Sequence, residues 1–180
     1  ARHGDRIFVT GKLGESGAGF YVLEEYGKDC PKEFDALVQK HLQPIPRIAA
    51  GQRIAQSGFA TAMIDVSDGI ASDLNHICVM SGVGAELYQE KIPLPDGIHK
   101  VASVTGKSAL YLSLHCGEDY ELLFTIRPET PAAIIHSIAQ ETGIAITEIG
   151  KILPKESGYQ LIDLNERRVP IQPKGWDHFN

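Results

Sequence analysis

The sequence predicts an α+β domain in which helices cover a largely antiparallel or mixed sheet. Three observations lead there. Tyr120, Leu122, Phe124 and Ile126 alternate along one run, the period of a strand. Ile70, Leu74, Ile77 and Cys78 recur at helical spacing just after a strand-like run. Strands and helices also mix along the chain without the strict alternation of a doubly wound parallel sheet.

Arg6 to Thr10 is rich in β-formers and is closed by Gly11, a strand. Gly14 to Glu25 predicts a helix with a permissive glycine-containing first turn and an apolar face of Phe20, Leu23 and Tyr26. Glu33 to Leu42 predicts a second helix, striped by Phe34, Leu37, Val38, His41 and Leu42. Pro44 and Pro46 stop it, because proline lacks the N–H and restrains the residue before it. Ile48 to Gln56 is a third, shorter helix, and Thr61 to Ile64 a buried strand. After the helix that follows Gly69, Val83 to Tyr88 is a strand and Pro93 to Gly97 a turn. Ile98 to Leu114 holds one or two helices, broken near Thr105-Gly106. Tyr120 to Ile126 is a strand, and Thr130 to Thr142 a helix with Thr130 as N-cap and Pro131 at its first position. Thr147 to Leu153 and Tyr159 to Asp163 are strands, the second in a hairpin with Arg168 to Ile171.

A length of 180 residues suits one domain of ordinary size spanning 1–180. The apolar share of 43% and charged share of 22% exclude wholesale disorder. No apolar run approaches the roughly 18 residues of a membrane span. Seventeen basic against 23 acidic residues give a net charge of −6, a poor match for a nucleic-acid backbone. If such a chain handles phosphates, a divalent metal must neutralise them. Cys30, Cys78 and Cys116 are odd in number and widely spaced, which argues against a zinc site or disulfide framework and for a reducing, cytoplasmic setting. The opening Ala1-Arg2-His3-Gly4-Asp5 has neither Met nor a signal-peptide core, as expected of the middle of a longer chain.

Three segments are candidates for chemistry. In Met63-Ile64-Asp65-Val66-Ser67-Asp68-Gly69 a strand delivers two carboxylates and a hydroxyl to the start of a helix. Asp65 and Ser67 fall on one side of an extended chain, and Asp68 can cap the helix. Hard oxygen ligands of this kind suit Mg²⁺, and a hydroxyl beside free helix N–H groups suits a phosphate. The same residues also suit a plain strand stop and helix cap. Cys116-Gly117-Glu118-Asp119-Tyr120-Glu121 brings three acids to the start of a strand, either as ligands of a metal or a substrate amine, or as a solvated turn. In Gly175-Trp176-Asp177-His178-Phe179, Trp176 is either a packed anchor or a stacking face for an aromatic or cationic ligand. Thr105-Gly106-Lys107-Ser108 lacks the earlier glycine of a phosphate-binding loop, since position 101 is Val.

In their order along the chain these segments resemble the C-terminal domain of the thiamine-monophosphate kinase family, within the aminoimidazole-ribonucleotide-synthetase-like superfamily. Gly4 to Gly11, Leu13 to Gly19, His41 to Arg47, Met63 to Ile77, Gly117 to Phe124 and Gly175 to Phe179 carry the resemblance. The ending around Trp176 favours this family over aminoimidazole ribonucleotide synthetase, selenophosphate synthetase and hydrogenase-maturation relatives. The resemblance implies a three-layer α/β/α domain with a mixed sheet and partial ferredoxin-like topology. It implies ATP- and Mg²⁺-dependent conversion of thiamine monophosphate to thiamine diphosphate by direct in-line transfer. Asp65 and Asp68 match magnesium-binding aspartates, Ser67 a nucleotide-contacting serine, and Glu118 and Trp176 substrate-binding positions. No residue matches a nucleophile or general base. The resemblance further implies a homodimer in the full-length protein and an N-terminal domain, absent from these 180 residues, that supplies most nucleotide and metal ligands. The chain alone is therefore expected to be inactive; the rival reading is a folded but inert domain that binds ligand weakly or not at all. One departure stands out. Cys116 replaces a glycine usual in the family, adding bulk where a tight turn is expected.

Overall fold

A computed structural model describes residues 1–172. Its strands are β1 (Arg6–Thr10), β2 (Ala60–Asp65), β3 (Gly84–Tyr88), β4 (Leu122–Ile126), β5 (Ile146–Leu153), β6 (Tyr159–Ile162) and β7 (Arg168–Pro170). Its helices are α1 (Glu15–Tyr26), α2 (Asp35–Leu42), α3 (Ile48–Gln56), α4 (Ile70–Ser81), α5 (Ile98–Thr105), α6 (Ala109–His115) and α7 (Ala132–Thr142). The strands form one sheet in the order β2-β4-β1-β5-β3-β6-β7. Every pairing is antiparallel except β3 with β6. The first four strands in that order, taken with the helices after β1 and β4, reproduce the ferredoxin-like arrangement. The segment from α4 to α6 is inserted into it, and β3, β6 and β7 extend the sheet beyond β5.

Side-chain alternation assigns the layers. Phe8, Phe124 and Ile126 meet Ala50 and Ile54 of α3 and Ile138 of α7 on one face. Ile7, Val9, Leu87 and Leu123 meet Ile70, Leu74 and Ile77 of α4 and Leu114 of α6 on the other. A third cluster joins α1, α2, α5 and α6 through Ala18, Val22, Leu37, Val38, Val101 and Leu112. Each fully buried Ile, Leu or Phe contributes about 1.5–3 kcal/mol by leaving water. This is the expected α+β fold, with helices on both sides of a mixed sheet.

Several local expectations change. The buried strand at 61–64 is the edge strand β2, half-exposed along its length, with Met63 facing out. Strand β4 is buried on both faces after its first residue, so its alternation sorts side chains between two helical layers rather than between core and water. Tyr120 lies outside it. Helix α1 buries Ser16 to Gly19 and Val22, while Phe20 is exposed. Helix α2 begins at Asp35, after a 3-10 turn over Lys32–Phe34. Thr130 does not cap α7: its hydroxyl donates to the Arg127 carbonyl, and Pro131 takes the N-cap position. The Thr105–Ser108 segment is a helix end followed by a helix start, with Ser108 Oγ accepting the Tyr111 N–H.

Candidate functional site

Two loops that are far apart in sequence meet at one end of the sheet. The first leaves β2 at Asp65 and enters α4 at Ile70; the second leaves α6 and enters β4. Their backbones are laced together: Glu118 N–H donates to the Ser67 carbonyl at 3.0 Å, Tyr120 N–H to the Val66 carbonyl at 3.0 Å, and Val66 N–H to the Glu121 carbonyl at 2.8 Å. A Cβ on Gly117 would overlap the Ser67 carbonyl oxygen, so glycine is what allows this approach. Ser67, Asp65, Asp68 and Glu118 thus share one loop cluster.

Successive side chains from Glu118 to Glu121 alternate in role. Asp119 Oδ2 accepts the Gly14 N–H at 2.7 Å, and its Oδ1 accepts the Ser16 N–H at 2.9 Å, tying down the start of α1. Ser16 Oγ in turn lies 3.0 Å from His41 Nδ1. Glu121 is buried and accepts from Arg47 Nε at 2.8 Å, Arg47 Nη2 at 2.5 Å and Thr10 Oγ1 at 2.6 Å. That forked, charge-assisted pair joins the start of α3 to β4 and the end of β1. These two residues face inward, so this half of the acidic segment is structural rather than a solvated turn. Glu118 is exposed, and Tyr120 half-exposed, on the other side. Both adopt left-handed backbone, with φ of 64° and 50°. Such conformations cost on the order of 1–3 kcal/mol each and persist only where the surroundings enforce them. The lacing to residues 66 and 67 and the anchoring of Asp119 and Glu121 do so here.

Asp68 does not cap α4. Gly69, with φ of 96°, occupies the N-cap position, and no side chain caps the helix there. Asp73 reaches back instead: its Oδ2 accepts the Ser67 and Asp68 N–H groups at 3.1 and 3.2 Å. Burial pushes the Asp73 carboxyl up to about 6, with the charges of Asp68 and Asp65 adding to the effect and the two amide bonds opposing it. Burial likewise pushes Asp119 up to about 7, against its two amide bonds. Cys116 is extended, with φ of −93° and ψ of 132°, so no tight turn occurs at that position. Its side chain packs where a Cβ on Gly17 would fall, and burial raises its thiol to about 12.

The sequence candidates fall as follows. Asp65 is exposed at the end of β2, and Ser67 lies beyond the strand, in the turn. The Asp65 and Asp68 carboxylates have no hydrogen-bond or ion-pair partner among the described residues. Among those residues no group of three His, Cys, Asp or Glu side chains converges to hold a metal. Two unpaired carboxylates suit part of a magnesium shell, which is completed by water and phosphate oxygens, but they are not a closed protein cage. Trp176 lies outside the described residues. The residues that the sequence left without a role are Arg47, Asp73 and Thr10. Arg47 and Thr10 act across 74 and 111 positions, where no local pattern signals them, while Asp73 acts on N–H groups only five and six positions back.

The sheet order and the paired loops define a class, and the comparison of sequences agrees. The family described as AIR synthase related protein, C-terminal domain, matches residues 2–161, and the chain belongs to it. Within reach of this chain are kinases. The thiamine-monophosphate kinase of Buchnera aphidicola subsp. Schizaphis graminum is 40% identical, over 99% of this chain and 54% of the relative. A solved structure described as AaThiL complexed with AMPPCP and TMP is 36% identical, with a TM-score of 0.80 over 99% of this chain and 52% of that one. E. coli HypE, a hydrogenase maturation protein, is 17% identical with a TM-score of 0.74 over 97% of this chain and 52% of that one, a likeness of fold alone. The chain spans about half the length of the relatives it matches. No helix among the described residues is long and apolar enough to cross a membrane.

Proposed function

We propose that this chain supplies the C-terminal part of a cytoplasmic thiamine-monophosphate kinase, which transfers the γ-phosphoryl group of ATP to thiamine monophosphate and releases thiamine diphosphate and ADP. The observation that carries this is the likeness to AaThiL with AMPPCP and TMP, at 36% identity over 99% of the chain. AMPPCP is taken there as a stand-in for ATP, and TMP as thiamine monophosphate. The laced loops support the same reading, since they gather the acids and the serine that such a reaction needs.

The attacking atom is a phosphate oxygen of the substrate, already anionic at neutral pH. No protein nucleophile is needed; positioning and charge neutralisation suffice. Bound Mg²⁺ would offset the charge of the phosphates. Asp65 and Asp68 would hold it from this chain, with water and phosphate oxygens completing its shell. Ser67 offers a hydroxyl to the nucleotide. Glu118 offers a carboxylate oxygen to the amino group of the aminopyrimidine. Trp176 offers a ring face to the aromatic and cationic parts of thiamine. The chain spans about half of the relatives' length, and in this reading an N-terminal half would supply the remaining nucleotide and metal ligands and a homodimer contact.

ADP release by the protein with that half in place tests the assignment. Turnover is expected to need thiamine monophosphate and Mg²⁺. Trp176→Ala is expected to raise the thiamine monophosphate KM about twofold to thirtyfold and leave the ATP KM unchanged. Release of ADP that ignores thiamine monophosphate would overturn it.

A further inference from the structure

The alternation in Gly117–Glu121 leaves one polar contact on the outward side. Tyr120 Oη donates to Glu118 Oε2 at 3.1 Å. Glu118 Oε1 has no partner among the described residues. Both residues are left-handed, a conformation the protein enforces by pairing their N–H groups with the Ser67 and Val66 carbonyls. The inward neighbours Asp119 and Glu121 are anchored on α1, α3 and β1, so the turn cannot relax toward the ordinary extended form without breaking those bonds. The fold thus holds a phenol and a carboxylate side by side at an exposed edge, where neither contributes to the core.

We propose that Tyr120 is a positioning residue for Glu118. Its phenol occupies one carboxylate oxygen and fixes the rotamer, which leaves the other oxygen aimed outward to accept from the amino group of an aromatic, cationic ligand. This rests on the role given to Glu118 above. A free Glu side chain on an exposed turn samples several rotamers, and immobilising it on binding costs affinity that a preset rotamer saves. The Glu118 charge and this hydrogen bond, in that order, raise the Tyr120 pKa, so the phenol keeps its proton and remains a donor through the neutral range.

The test uses the complete kinase. Tyr120→Phe removes one oxygen and keeps the ring, so the turn is expected to survive. The thiamine monophosphate KM is expected to rise about threefold to tenfold, with kcat and the ATP KM unchanged. In a Glu118→Ala background the same change is expected to do nothing, because no carboxylate remains to orient. Glu118→Asn, which tolerates left-handed backbone, replaces the alanine variant if that one fails to fold. In protein labelled with carbon-13 at the tyrosine ring, the signal lost in Tyr120→Phe identifies Tyr120, and its titration is expected to move to lower pH when Glu118 is replaced. Unchanged KM in Tyr120→Phe beside a raised KM in Glu118→Ala would overturn the positioning role and leave the kinase assignment standing. An equal effect of Tyr120→Phe in both backgrounds would overturn it as well. Wild-type protein without turnover that depends on thiamine monophosphate would instead remove the kinase assignment.

Discussion

The acids of the two joined loops divide by what touches them. Asp73, Asp119 and Glu121 accept from the protein's own N–H, hydroxyl and guanidinium groups. Asp65 and Asp68 keep both carboxylate oxygens free among the described residues. Charge held without a partner at a loop end suits a cation. In the complete protein, Asp65→Asn and Asp68→Asn are each expected to raise the Mg²⁺ needed for half-maximal turnover about tenfold or more, since ~1.4 kcal/mol of lost attraction is enough. Mg²⁺ titrations that match wild type in both variants would remove the metal role. The anchoring acids make a different prediction. Asp119 and Asp73 have folded pKa values of about 7 and about 6, above the ordinary 3.8, because burial disfavours their charged forms. The folded state therefore binds more protons than the unfolded chain in the interval between. Their contribution is fully present below about pH 4 and is lost as pH rises toward 7. Asp119→Asn cannot titrate, so its unfolding free energy is expected to depend less on pH between 4.5 and 7.5 than that of wild type, as urea titrations at several pH values would show.

Among the elements, α1 shows how glycine acts. Its glycines suggest a permissive first turn, yet the structure uses them for close approach. A Cβ on Gly19 would overlap the Leu37 carbonyl oxygen of α2, and one on Gly17 would overlap Cys116. The buried face of α1 is its small-residue face, and Phe20 is turned out. Gly19→Ala gains helix propensity of about 1 kcal/mol. It must also push α2 away, and overpacking of this kind costs about 1–3 kcal/mol, more where the obstacle is backbone. The expected net result is a melting temperature lowered by several degrees, read by circular dichroism. An unchanged or raised value would mean that α1 and α2 separate without cost. This helix contact matters to the site because Asp119 holds the start of α1 and His41 of α2 meets Ser16.

The described residues form three apolar clusters, two on the faces of the sheet and one among α1, α2, α5 and α6. A domain of this length buries enough surface to fold by itself. The 180-residue chain is therefore expected to unfold in one cooperative step. On the function proposed above it is also expected to show no kinase turnover alone, because it spans about half the length of the relatives it matches. A coupled assay for ADP, run on the refolded chain, checks the second point. Turnover above background would show that one half carries the whole site. A melt with no cooperative transition would show that the core needs a partner.

Periodicity and punctuation in the sequence determined most elements, because side-chain spacing and proline or glycine breaks act within a few residues. Strand Arg6–Thr10 and helix Ile48–Gln56 have the bounds their residues predict, and the hairpin of β6 with β7 forms as expected. The order of motifs also determined the family. The sequence singled out both loops of the site, but not that they pair. Only the tertiary structure decided which acids are free. Asp119 and Glu118 are neighbours in a run of similar residues, yet one is bound to α1 and the other faces outward. Glu121 looks like one more surface acid until Arg47, 74 positions away, is brought against it. The reason is range: burial and hydrogen bonding are set by the segments the fold brings together, and the residues within a few positions carry no record of them.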